Sequence, residues 1–166
     1  MSYPQALYTK ETGEVSARFR PFATEPDLVR TTGTRVHYLA TGSDTGGLFG
    51  LYRWSMGPNP GGAEPHFHRT LSESFYILDG TVKIFDGTKW VDAQAGDFVH
   101  VPPGGIHGFS NESGAPASML LHFAPGAPRE AYFEGLNHLG ELSDEEKTAF
   151  FLAHDNIYLG NGHPLR

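Results

Sequence analysis

The sequence predicts an all-β domain, a sandwich or barrel, with an N-terminal extension and a short C-terminal helical element. Three observations predict it. Short runs of β-favouring residues recur through the middle of the chain, separated by clusters of Gly, Pro, Asn and Asp. Twenty-one Gly and twelve Pro among 166 residues suit many short strands joined by turns. A strong helix-start signal comes only after Pro128. The expected division is therefore an arm over 1–30, a β domain over 31–128 and a helical extension over 129–166.

Residues 1–30 set isolated aromatics (Tyr3, Tyr8, Phe19, Phe22) among Ser, Thr, Glu, Arg and Pro. That pattern predicts an extended arm with one or two short strands, either packed on a second copy of the chain or left as a frayed terminus. Arg35 to Leu39 reads as a strand, and Leu48 to Met56 as another, closed by the turn cluster 57–62. From Pro65 the strands come quickly. Ser74 to Leu78 stops at Asp79-Gly80, and Val82 to Phe85 and Lys89 to Val91 flank the hairpin signal Asp86-Gly87. Phe98 to Val101 runs into Pro102-Pro103-Gly104-Gly105, followed by Gly108 to Ser110 and Ser118 to Phe123. Arg129 to Leu139 has room for a helical turn or two. Ser143-Asp144-Glu145-Glu146 reads as a capping box opening a helix to about Ala153, which HDNIYLG then breaks. This extension is expected to pack outside the β domain or to close one of its mouths.

The candidate chemistry lies in four residues. His66 and His68 are two apart, which puts them on one face of a strand; Glu73 follows after a short turn, and His107 follows the Pro-Pro-Gly-Gly turn. Three imidazoles and a carboxylate are a ligand set for a divalent transition metal. By alternation, Phe75 and Ile77 share the face of Glu73, and Phe109 that of His107, so these three are candidate pocket walls around the ion. His100 and His122 fall outside the pattern, His100 on an edge or outer face and His122 opposite Leu121 and Phe123.

This stretch resembles the two motifs of the cupin superfamily. The first runs glycine, five residues, His-x-His, three or four residues, Glu, six residues, Gly; His66, His68, Glu73 and Gly80 fit it, with Pro60 in the place of the leading glycine. The second runs Gly, five residues, Pro-x-Gly, two residues, His, three residues, Asn, and Gly96, Pro102, Gly104, His107 and Asn111 fit it throughout. Residues 81–95 separate the motifs, a short spacing of the microbial kind.

The resemblance implies a cupin jelly-roll β-barrel and one divalent transition metal per chain (Ni, Fe, Mn, Co or Zn) on His66, His68, Glu73 and His107. Three neutral imidazoles and one carboxylate leave such an ion one positive charge and, when octahedral, two open positions. Glu73 could serve as ligand, as catalytic base, or as both. The group resembled most is the small single-domain cupins that include quercetinase-like dioxygenases. That implies a flavonol or similar enol substrate chelated to the metal, with dioxygen as co-substrate. The alternatives are a metal-dependent isomerase or lyase on a small enolisable or sugar substrate, or a non-catalytic cupin that binds a small ligand. A homodimer is also implied.

Composition excludes other classes. A net charge of −7 disfavours a nucleic-acid partner, whose phosphates call for a basic face. The absence of Cys excludes disulfides, thiolate ligands, a cysteine nucleophile and a thiol dioxygenase with a Cys–Tyr crosslink. No basic segment followed by an apolar run opens the chain, and no apolar stretch approaches the roughly 20 residues that span a bilayer. A cytoplasmic protein without a membrane partner is expected.

Overall fold

A computed structural model describes residues 3–159. The described residues form eleven strands: β1 (Leu28–Val29), β2 (Arg35–Ala40), β3 (Gly50–Met56), β4 (Gly61–Phe67), β5 (Ser72–Asp79), β6 (Thr81–Phe85), β7 (Trp90–Gln94), β8 (Phe98–Val101), β9 (His107–Asn111), β10 (Ala117–Ala124) and β11 (Ile157–Tyr158). They form two antiparallel sheets, one ordered β1-β2-β3-β10-β5-β8 and the other β11-β4-β9-β6-β7. This is the expected cupin-type arrangement of facing sheets. Alternation along β10 shows how one face is buried: Met119, Leu121 and Phe123 point inward, while His122 looks outward and stacks on Phe49. These residues join Tyr52, Trp54, Phe75 and Ile77 of the same sheet and Val82, Ile84 and Phe109 of the other in one core.

The stretch expected to be a turn ends earlier than its composition suggested. Gly61 and Gly62 belong to β4 and pair with Asn111 and Ser110 of β9. The close approach explains the residue type, because a Cβ on Gly62 would lie 1.7 Å from the Phe109 carbonyl oxygen. Pro65 lies within a register shift between Ala63 and His66, where the ladder does not need its missing N–H.

After Pro128 come α1 (Arg129–Gly135), a 3₁₀ segment (Leu136–Glu141) and α2 (Asp144–Ala153). The capping box of α2 forms as expected: Ser143 Oγ accepts from Glu146 N, and the Glu146 carboxylate accepts from Ser143 N. The helix ends in a Schellman arrangement, with Asp155 N bonded to Leu152 O and Asn156 N to Phe151 O. Asp155 takes the left-handed φ of 55° that this turn requires. The chain then adds β11 to the edge of β4, pairing Tyr158 with His66. Sequence reasoning missed that strand, which is two residues long. Of the two placements open for the extension, the structure shows it closing one mouth: Tyr132, Phe133, Phe151 and Tyr158 line the interior cavity.

The arm has no strand before β1, and Tyr3, Leu7, Val15, Phe19 and Phe22 are exposed. Among the described residues, no helix is long and apolar enough to cross a membrane.

Candidate metal centre

Three strands meet at the site. His66 lies near the end of β4, His68 just past it, Glu73 at the start of β5 in the opposite sheet, and His107 at the start of β9. Cross-strand pairing sets His66 beside His107. The Pro102–Gly105 turn delivers His107: Gly105 N bonds to Pro102 O, and Gly104, at a φ of 83°, donates its N–H to His68 O. All four side chains are buried, and one potential ligand atom from each lies within 4.8 Å of the others.

The outer nitrogens fix how the rings face. Nδ1 of His66 donates to Glu64 O (2.8 Å), that of His68 to Asp155 O (2.5 Å) and that of His107 to Gly105 O (2.9 Å). A carbonyl oxygen only accepts, so each Nδ1 carries the hydrogen and each Nε2 is turned to the centre. Backbone carbonyls orient metal-ligating histidines in the same way. Glu73 Oε2 lies 3.1 Å from His68 Nε2 and 2.9 Å from His107 Nε2. Hydrogens in those two gaps would make both rings imidazolium ions in a buried place. One divalent cation meets the same three lone pairs and the carboxylate without that cost, so the donor set fits a single metal ion.

The electrostatics favour a neutral His66 and an ionised Glu73, while Glu73 draws a proton toward His107. Burial, together with the neighbouring His107 and His68, pushes His66 down to about 3. Burial opposes the charge of Glu73, yet the hydrogen bonds from His107 and His68 hold it well below the usual carboxylate range. Burial likewise opposes charge on His107, but Glu73 outweighs it and raises that group.

Above the cluster lies a cavity of about 680 Å³, within the size range of small-molecule sites. His66, Glu73 and Phe109 line it, as do Trp54, Phe123 and residues of the C-terminal extension. Phe109 is thus among the residues lining this cavity. Phe75 and Ile77 share the face of Glu73 but do not line the cavity; they lie in the packed core, with Phe75 against His107 at 5.9 Å between ring centroids. Their position farther along β5 takes them under the site instead of around it. His100 is on the edge strand β8, bonded to Ser74 Oγ at 3.0 Å, and takes no part in the cluster.

Sequence reasoning missed several other wall residues. Tyr158 stacks on His66 (5.1 Å, 29°) and shares a hydrogen bond with Tyr132, which accepts another from Asn156 Nδ2. Arg129 donates to His154 O and Asn156 Oδ1 beneath this network, and Arg30 lies over Trp54. No local motif marks any of them, since each reaches the cavity through the packing of distant segments.

Residues 52–123 match the cupin domain family, Cupin_2. This region is a cupin domain. Within the cupins, the chain is similar to quercetin 2,3-dioxygenase of Bacillus subtilis (strain 168), at 30% identity over 83 residues. That alignment takes in 49% of this chain and 24% of the dioxygenase, so the chain spans about a quarter of that relative's length. Among solved structures it is similar to KdgF from a Halomonas species (TM-score 0.52, 14% identity, 59% of this chain and 84% of that one). It is also similar to the polyketide cyclase RemF from Streptomyces resistomycificus (TM-score 0.50, 24% identity, 60% and 68%). At those identities the likeness is one of fold.

Proposed function

We propose that this cupin is a metal-dependent dioxygenase of the quercetinase type, acting on a flavonol or similar enol bound at the metal. The observation that carries the reading is the buried three-His, one-Glu cluster opening onto a largely apolar, lidded cavity. The similarity to quercetin 2,3-dioxygenase across the cupin region supports it. In this reading His66, His68, His107 and Glu73 would hold one divalent ion, which would supply Lewis acidity and open coordination positions. Glu73 sits beside the enol oxygen and takes its proton. Trp54, Phe109 and Phe123 hold the ring system, and the C-terminal extension keeps bulk water from the reacting carbon.

Oxygen uptake by metal-replete protein with a flavonol tests the proposal. Uptake in proportion to substrate consumed is expected, with Glu73→Gln retaining much of the metal and losing turnover. Metal-replete protein that consumes no oxygen across a panel of enols overturns it. A second reading, oxygen-independent isomerase or lyase action on an enolisable acid, is favoured by one observation: two arginines line the cavity.

A further inference from the structure

Arg30 and Arg129 come from segments 99 positions apart in the chain, yet both line the cavity over the metal cluster. Arg129 is only 3% exposed. It is caged by the rings of Phe123 (4.9 Å), Tyr132 (4.3 Å) and Phe133 (5.7 Å), and uses two of its five N–H bonds on His154 O and Asn156 Oδ1. Arg30 lies 5.7 Å over Trp54 and makes no side-chain hydrogen bond among the described residues. The Nε of each is shielded from water and has no hydrogen-bond partner. Neither arginine forms an ion pair with a described residue.

A buried, unpaired cation such as Arg129 is costly, and Arg30, half-buried with a shielded Nε, adds to that cost. The cavity's own acids do not answer them. Glu73 is engaged by His68 and His107, and Glu64 is solvent-exposed. A divalent ion on three neutral imidazoles and Glu73 adds a further positive charge. The wall is therefore short of negative charge, and guanidinium forks suit a planar carboxylate.

We propose that Arg30 and Arg129 form an anion subsite, so that the substrate is an enol or enolisable compound carrying a carboxylate away from its metal-chelating end. The inference rests on the cavity being the substrate chamber. It applies whether turnover consumes oxygen or not.

Kojic acid and comenic acid test it. Both are hydroxypyranones with the same chelating pair, but comenic acid carries a carboxylate where kojic acid carries a hydroxymethyl group. Calorimetric titration of the metal-loaded protein should show comenate binding about tenfold or more tightly, the size of one charge-assisted hydrogen bond. The charge of the ion alone could favour an anion, so Arg30→Met supplies the control. That side chain makes no hydrogen bond or ion pair to lose, so melting temperature and metal content should hold while the preference falls. Arg129→Lys, which keeps the charge and loses the fork, should also reduce it. Equal affinity for the two ligands in the wild type, or an unchanged preference in both variants, overturns the anion subsite and leaves enol chelation standing. Failure of the wild type to bind either ligand overturns the chamber reading and this inference with it.

Discussion

Nδ1 of His68 donates its hydrogen to the backbone carbonyl of Asp155, 87 residues away, at 2.5 Å. One turn at the end of α2 thus reaches a metal-ligand candidate in the cupin domain. The Asp155 carboxylate accepts from Arg69 N, Thr70 N and Thr70 Oγ1, so the same residue also fastens the chain just beyond His68. Closing the cavity and orienting His68 are therefore coupled.

Asp155→Ala should destabilise the protein by about 2 kcal/mol, through lost hydrogen bonds to a partly exposed carboxylate and strain at positive φ. Asp155→Gly removes the same side chain but accepts the backbone, and should recover about 1 kcal/mol of that loss. Urea unfolding of the two variants measures the difference. Equal losses would show that the backbone conformation contributes nothing.

Burial opposes the Asp155 charge, but the bonds from Arg69 and Thr70 prevail and lower its pKa in the folded protein. A depressed folded pKa stabilises above the unfolded value, about 3.9, and that contribution fades as pH falls through the folded value. The stability gap between wild type and Asp155→Asn should be flat above about pH 5 and shrink as pH falls below about 4. A gap that stays constant to the lowest pH at which the protein is folded would contradict this.

Gly62→Ala places a Cβ against the Phe109 carbonyl, a backbone atom with little freedom to move. A loss of about 3 kcal/mol or more is expected from displacing β4 from β9, with weakened metal uptake because His66 and His107 share that pairing. Gly13→Ala, which meets nothing within 4 Å, is the control. Similar melting temperatures for the two variants would refute the argument.

The exposed apolar side chains of the arm lead us to expect a homodimer in which the arm lies on the second copy. Sedimentation should show a dimer for the full chain and a smaller species after removal of residues 1–19. That cut spares Phe22, whose ring packs on the Arg53 guanidinium at 4.0 Å and whose carbonyl accepts from Arg53 Nη2. A dimer that survives the cut would place the interface elsewhere.

Local pattern made some of this legible and not the rest. His66, His68, Glu73 and His107 could be read because ligand type, spacing and turn residues act within about forty positions of one another. The capping box at Ser143 was legible for the same reason. Gly61 and Gly62 looked like a turn because glycine carries no sign of the strand that will press against it. Phe75 and Ile77 share the face of Glu73, but alternation gives a side chain's direction and not its depth along the strand. Arg30, Arg129 and Tyr158 left no signal, since their roles arise only when the two ends of the chain meet over the cavity.

One divalent ion is expected on His66, His68, Glu73 and His107. Elemental analysis of tag-free wild-type protein, beside His66→Ala and His107→Ala variants checked by circular dichroism, tests it most directly. One transition-metal ion per wild-type chain is expected, with most of it lost in each variant and the β signature unchanged. Metal that persists in both variants, or a wild-type chain that takes up none when supplied with Fe, Ni, Mn, Co and Zn in turn, would contradict it.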